Sequence, residues 1–368
     1  MSFGLMLLIK WNNVVELDNE VLRWKIMSKL LLIGPRINKK DPSKTGGIIV
    51  LFEDLVKQCD KNALDYYIVD SNKSNYKNKA FAYIAILFQF LLNIKNASYV
   101  SLHGTANDYL LLAPIVIFFS KLFGKDVSLR KFAGNFDEIY DNSSLWKKKV
   151  FNYVLQKSDI NFFETKYLVD KFKVYNPNTF WFPNVRDKSD IQTDCEYKKR
   201  FIFLGQVKEE KGVKEILEVS NLLDASYTID LYGKLSPEIK DIDLDQYKAN
   251  YRGALTSDEV QTKLAQYDVL LLPTFWQGEG YPGVIIEALS VGLPIVASTL
   301  KGIKEMVDDS SSVLMEPKSV EQLKEAIESF NESNYAGKST AALKQFENFD
   351  SEIQTKVYFT IIGVIDNG

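Results

Sequence analysis

Histidine and cysteine are almost missing from this chain. His103 is the only histidine, and Cys59 and Cys195 are the only cysteines. The two cysteines lie far apart, so neither a disulfide framework nor a cysteine-rich zinc site is expected. A reducing cytoplasm fits that usage. Long hydrophobic runs are missing too. The two most apolar stretches, Ala80–Leu92 and Tyr109–Phe123, contain Gln89 and Ser120-Lys121 respectively. Both fall short of the roughly 18–20 residues that a membrane span needs. They read first as buried helices, and second as helices whose exposed apolar face lies on a bilayer. Phe3–Ile9 is apolar but has no basic lead and no small-residue cleavage site, so it reads as a poor signal peptide.

What is present is ordinary for a globular protein. The chain has 368 residues, 46% hydrophobic and 25% charged, which is enough for two domains with a core each. The net charge of −3 hides an asymmetry. Residues 1–188 hold 27 basic and 18 acidic side chains, a net of +9, and the remainder holds 18 and 30, a net of −12. A basic half calls for an anionic partner (anionic lipid, a lipid-linked phosphate or nucleic acid), unless two solvated faces have simply drifted apart in composition. Met27-Ser28-Lys29-Leu30-Leu31-Leu32-Ile33-Gly34-Pro35 reads as the first strand of a domain. Residues 1–26 are therefore read as an appendage, of the kind an upstream start codon adds.

Apolar runs alternate with amphipathic segments. Leu30–Ile33, Tyr66–Val69, Tyr99–Leu102, Val127–Phe132 and Ile160–Phe163 are strand candidates. Between them, Gly47–Gln58, Ala80–Leu92, Tyr109–Phe123 and Lys147–Gln156 are helix candidates. Pro183 then interrupts regular structure, and the polar stretch Arg186–Lys199 marks a domain edge. A second series follows. Its strands are Phe201–Leu204, Ile229–Tyr232, Val269–Pro273 and Pro294–Ala297. Its helices are Val213–Leu223, Ser257–Ala265 with Ser257 as N-cap, Val284–Val291 and Val320–Phe330, and a weaker helical pattern covers Phe349–Ile365. The alternation predicts an α/β fold: two tandem Rossmann-like, doubly wound domains facing a cleft. In such sheets ligands bind beyond the carboxyl ends of the strands.

Two segments carry chemistry there. Gly205-Gln206-Val207-Lys208-Glu209-Glu210-Lys211-Gly212 follows a strand and precedes a helix. Its amides and the Lys211 ammonium suit a phosphate, although a solvated loop would read the same way. Thr274–Gly283 is a glycine-rich loop feeding a helix that carries Glu287. A helix start of this kind binds anions, and a carboxylate accepts two hydrogen bonds from vicinal hydroxyls. Glu279 and Glu287 thus suit a phosphate flanked by a sugar and a ribose, or else are two surface charges.

Glu279-Gly-Tyr-Pro-Gly-Val-Ile-Ile-Glu287-Ala, set between an apolar strand and Gly292-Leu-Pro-Ile-Val, is far more specific. Here the chain resembles the retaining nucleotide-sugar glycosyltransferases of family 4, which have the two-domain GT-B fold. The resemblance runs from about Met27 to the C-terminus and is strongest over Phe201–Pro317. It takes in Gly46-Gly47, Pro183-Asn184, Lys211-Gly212, Gly253, Tyr267-Asp268 and Pro273 in order.

The resemblance implies an acceptor-side domain over 27–187, a donor-binding domain over 188–349, and a helix over about 350–368 packed back on the first. Glu279, Lys211 and His103 would be catalytic. Glu279 would face the reacting sugar, Lys211 the departing diphosphate, and His103 the transferred sugar as a hydrogen-bonding group. Gly46, Gly47, Gly205, Gln206, Lys208, Arg252, Gly280, Tyr281, Pro282, Gly283, Val284 and Glu287 would bind the donor, Glu287 through its ribose. Arg130 and Lys131 would meet an acceptor phosphate, and Asn135, Asp137 and Glu138 acceptor hydroxyls, if that loop is more than an ordinary polar one. One position departs from the family: Gln206 stands where an arginine is usual, and a neutral amide makes no charge-assisted bond to phosphate. Lys208 is the nearest compensation.

No Asp-x-Asp motif sits in a suitable loop, so the resemblance implies metal-independent transfer without a cofactor, the donor being a UDP- or GDP-sugar. It implies a hexosyl transfer with retention to a lipid-linked or oligosaccharide acceptor, in synthesis of a surface polysaccharide such as capsule or lipopolysaccharide. Nucleic acid is not an expected partner. The expected place is the cytoplasm, with peripheral association to the anionic inner face of the membrane. The alternatives are another GT-B enzyme, such as a nucleotide-sugar epimerase or a soluble-acceptor transferase, and a non-catalytic GT-B binding or scaffold protein.

Overall fold

The computed structural model describes residues 29–41, 46–194, 196–240 and 243–365; the appendage expected over 1–26 and Cys195 lie outside them. Strand β1 (Leu30–Gly34) is buried at every position, as a strand covered by helices on both faces must be. Around it stand β2 (Tyr66–Asp70), β3 (Tyr99–Gly104), β4 (Asp126–Lys131), β5 (Ile160–Phe163) and β6 (Thr179–Trp181). They form one sheet in the order β2-β1-β3-β4-β5-β6, parallel throughout. The helices between them are α1 (Gly47–Lys61), α2 (Lys79–Asn93), α3 (Ala106–Leu111), α4 (Ala113–Leu122), α5 (Phe136–Asp141), α6 (Leu145–Lys157) and α7 (Lys166–Phe172).

The second sheet runs β12-β11-β10-β7-β8-β9, again parallel throughout. Its strands are β7 (Arg200–Leu204), β8 (Thr228–Tyr232), β9 (Asn250–Tyr251), β10 (Val269–Leu272), β11 (Ile295–Ser298) and β12 (Ser312–Met315). Its helices are α8 (Val213–Leu222), α9 (Pro237–Lys240), α10 (Val260–Leu264), α11 (Gly283–Ser290), α12 (Lys301–Met306), α13 (Val320–Glu328), α14 (Glu332–Phe346) and α15 (Ser351–Ile361).

Topology fixes where a ligand belongs. In the first sheet the chain steps from β1 to β2, then returns past β1 to β3. In the second it steps from β7 out to β9, then returns to β10. Right-handed crossovers follow from strand twist, so the helices change face at each reversal, and a crevice opens beyond the strand ends there. Those crevices are bordered by the segments after β1 and β3, and after β7 and β10.

The first sheet has a core on each face, which follows from the two-residue side-chain period. Leu31 and Ile33 pack with Ile86, Phe90, Val116 and Phe151. Leu30 and Leu32 pack on the other face with Phe52 and Leu55 of α1, and with Tyr358 and Phe359 of α15. α15 belongs to the chain's end, yet it lies on the first domain. Gln58 Nε2 donates to Ser351 Oγ at 2.9 Å, and Tyr358 stacks on Phe182 at 4.7 Å.

Two local expectations need correction. Tyr109–Phe123 is not one helix, because α3 stops at Leu111 and α4 starts at Ala113. Pro114 lacks an N–H and suits a first turn, so it begins a helix rather than continuing one. Ser257 is not the cap of its helix, which begins at Val260. Thr256 and Glu259 close the turn instead, the Glu259 carboxylate accepting from the Thr256 amide at 2.8 Å and its hydroxyl at 2.7 Å.

Candidate active site

The donor-side wall starts where β7 ends. Gly212 has φ +76°, and a Cβ there would fall 2.2 Å from the Pro273 carbonyl oxygen. Glycine therefore lets the Lys211 turn press against the end of β10. This close approach sets Lys211 beside the Thr274–Gly283 loop, where its ammonium pairs with Glu279. Thr274 Oγ1 lies 3.3 Å from the same carboxylate. The Lys208 and Lys211 ammonium groups each lie 4.8 Å from the Trp276 ring centroid.

The other cations of this wall also have partners. Lys208 Nζ lies 2.7 Å from Glu210, and Arg252 Nε 3.2 Å from Asp230. Glu287 is held by Arg186 Nε at 2.8 Å. Gln206 is exposed at the end of β7. The charged donor-binding residues expected in the second domain, Lys208, Arg252 and Glu287, thus each have an ion-pair partner.

The first domain meets this wall directly. A Cβ on Gly134 would lie 2.3 Å from the Gly280 Cα, so the loops touch through two glycines. Glu164, just beyond β5, accepts from the Tyr281 amide at 2.7 Å and the Ala133 amide at 3.1 Å. Burial raises its carboxyl pKa, against the lowering by those two amides and by Arg130 and Lys131. Asn184 Nδ2 donates to the Tyr281 carbonyl at 2.8 Å. Glu305 of α12 accepts from the Tyr281 hydroxyl at 2.7 Å and from the Lys166 and Tyr167 amides at 2.7 and 2.8 Å. Of the amides expected to cradle a diphosphate, that of Tyr281 is therefore occupied by Glu164. Glu164, Arg186 and Glu305 were not among the expected site residues. Glu164 had a signal, since it is the first residue past a strand's carboxyl end.

Two cavities divide the remaining candidates. One lies between the domains, lined by Asn135, Asp137 and Glu138 on one side and Gln277, Glu279 and Lys301 on the other. It joins the expected acceptor-hydroxyl residues to Glu279. The other lies beyond β1, β2 and β3, lined by Gly46, Gly47, Lys73, His103, Thr105 and Asp108. Gly46, Gly47 and His103 thus gather in the first domain's own crevice.

Three expected roles meet a physical obstacle. His103 borders its cavity but is fully buried, its ring set among Phe52, Phe132 and Tyr358. Its Nε2 lies 2.9 Å from Ser101 Oγ, and burial, helped by Arg130, holds its pKa well below the usual histidine range. Arg130 and Lys131 are not loop residues open to an acceptor phosphate. They are the last residues of β4, in the middle of a sheet covered on both faces, and each is 1% exposed. Arg130 lies 3.8 Å from the Phe182 ring and donates to the Pro183 carbonyl at 2.9 Å. Lys131 donates to the Phe132 carbonyl and lies 5.2 Å from the Phe136 ring. Burial lowers their pKa values to about 10 and about 8.

Two parallel α/β domains, meeting at their strand ends around a cleft, define the GT-B fold. Solved structures agree: Anabaena Alr3699/HepE in complex with UDP superposes with a TM-score of 0.69 at 13% identity, over 92% of this chain and 100% of that one. Residues 198–332, most of the second domain, match the family described as glycosyl transferases group 1. An uncharacterized 41.2 kDa protein in the cps region of Klebsiella pneumoniae is 24% identical over 244 residues, 60% of this chain and 66% of that protein. The amylovoran biosynthesis glycosyltransferase AmsK of Erwinia amylovora is 30% identical over 141 residues, 35% of this chain and 34% of that one. The match therefore spans just under two thirds of the first relative and about a third of the second.

Proposed function

We propose that this chain transfers a hexosyl group from a UDP- or GDP-sugar to a lipid-linked or oligosaccharide acceptor, with retention of configuration. The setting is bacterial surface polysaccharide synthesis at the inner face of the cell membrane. One observation carries the reading: Glu279, the partner of Lys211, lines a cavity whose opposite wall supplies Asn135, Asp137 and Glu138.

In this reading the donor diphosphate takes Lys211 from Glu279. The freed carboxylate then faces the sugar carbon as positive charge develops on it. The bond from that carbon to the phosphate oxygen breaks, the acceptor oxygen bonds to the carbon on the same face, and the acceptor proton passes to the leaving phosphate. Charge stabilisation and positioning carry the rate, and Lys211 with the α11 amides does the work of a metal ion. Glu287 turns from Arg186 to the ribose hydroxyls.

Glu287→Ala should mainly raise the donor KM, and Glu279→Ala should mainly lower kcat. Both are read by sugar transfer from a panel of nucleotide sugars. Unchanged kinetics in both variants, or no nucleotide sugar raising the Tm of the wild type, would remove the donor site. A second reading, a non-catalytic nucleotide-sugar binder, draws support from Gln206. It predicts a raised Tm with no transfer.

A further inference from the structure

We propose that the outer face of α2, α4 and α6 docks on an anionic lipid bilayer. This extends the lipid-linked acceptor of the proposed function and names the surface that would meet its membrane. α2 has two apolar stripes where a helix on a soluble domain needs one. Ala82, Ile86 and Phe90 point into the core. Phe81, Ile84, Phe88 and Leu92 repeat at helical spacing on the other side and are 52–67% exposed. No charged residue lies between Lys79 and Lys95.

The neighbouring helices repeat the pattern. Ala113, Val116 and Ile117 are buried, while Ile115, Phe118 and Leu122 of α4 are 36–65% exposed. Lys95 lies 5.9 Å from the Phe123 ring, which joins the ends of α2 and α4. α4 packs on α6, whose first turn exposes Leu145 at 80% and Trp146 at 60%. Among the described residues, 13 of the 20 exposed large hydrophobics fall between Phe81 and Tyr153. The surface is therefore one patch rather than scattered side chains, and a patch of that kind marks a docking site.

Charge selects the occupant. Lys77, Lys79, Lys95, Lys121, Lys149 and Lys157 are exposed around the patch. Over residues 77–157 two of the five acidic side chains, Asp108 and Asp137, are buried. Apolar side chains inserted among acyl chains, with lysines reaching headgroup phosphates, fit an anionic bilayer. A second copy meeting the same face would oppose lysines to lysines. The helices run antiparallel to the strands, so the first turns of α2 and α6 lie at the cleft edge. Trp146 is eight residues beyond Glu138, which lines the interdomain cavity. A bilayer on this face would keep an acceptor's lipid in place while its sugar reached the cavity.

The test is flotation of the full chain with phosphatidylcholine vesicles and with phosphatidylcholine–phosphatidylglycerol vesicles, without any nucleotide sugar. Binding to the mixed vesicles is expected, weakened by salt. Ile84→Glu/Phe88→Glu/Phe118→Glu should lower it at least tenfold with the Tm unchanged. Lys79→Gln/Lys95→Gln/Lys149→Gln, which leaves every exposed apolar side chain in place, should lower binding to the mixed vesicles several-fold. Wild-type protein that binds neither vesicle overturns the proposal, as does a triple-Glu variant that floats as well as wild type. So does a wild-type dimer that the triple-Glu variant makes monomeric without any vesicle binding, because the face is then a protein interface. The readout is lipid alone, so loss of the transferase reading leaves this result standing.

Discussion

The two domains treat their cations in opposite ways. At the end of β4, Arg130 and Lys131 are enclosed, and their hydrogen bonds go to backbone carbonyls beneath aromatic rings. At the end of β7, Lys208 and Lys211 stand nearer the surface, each held by a carboxylate. A buried cation cannot trade its partner for water, because its desolvation cost is already committed. A cation at the cleft can exchange one anion for another, because an incoming anion replaces the carboxylate before the charge is left without a partner. Overall charge is therefore a poor guide to the working site. The net-positive half locks two cations away at its sheet centre and shows lysines on its outside, while the net-negative half holds the exchangeable ones.

Three experiments would break or sharpen that contrast. Lys211→Ala should give the largest effect, about a 10²–10³-fold loss of kcat, as expected for removing one group aimed at developing charge. A loss confined to KM would instead make Lys211 a binding group only. Lys131→Met tests the enclosed side. Its folded pKa of about 8 lies below the ordinary 10.5, so the unfolded chain keeps a proton that the folded chain releases. Stability then rises with pH between about 8 and 10.5, and the penalty of the buried charge is full below pH 8. Lys131→Met should stabilise by about 2 kcal/mol at pH 7, after allowing for the lost bond to the Phe132 carbonyl. The gain should shrink by pH 10 in denaturant unfolding, and a pH-independent difference would place the charge outside the core. The smallest effect is expected from Gln206→Arg, which adds a guanidinium to the exchangeable wall and should tighten UDP binding several-fold by calorimetry.

The sequence exposed most of the architecture, because buried parallel strands are short apolar runs punctuated by helices. It missed three of the four edge strands. β6 and β9 are three and two residues long, too short to carry a pattern, and β12 is only partly buried at its two middle positions. The split at Leu112 was signalled by Pro114, which one continuous apolar stretch obscured. In the site, the motif around Glu279 pointed to a loop that does border the interdomain cavity. Neither the burial of Arg130 and Lys131 nor the pairing of Glu287 with Arg186 was legible. Both depend on which strand lies at the sheet centre and how the crossover passes α11, and such long-range packing leaves no local periodicity.

Tyr281 is the keystone of an arch. Its amide bears on Glu164 from one pier and its carbonyl on Asn184 at the crown, while its hydroxyl leans on Glu305, which itself braces the first turn of α7. The hydrogen bonds to Glu164 and from the α7 amides to Glu305 both span the two piers. The stone that keeps the arch shut belongs to the same loop that presents Glu279. Whatever rearranges that loop therefore also loosens the span, because Tyr281 and Glu279 share one short stretch of backbone.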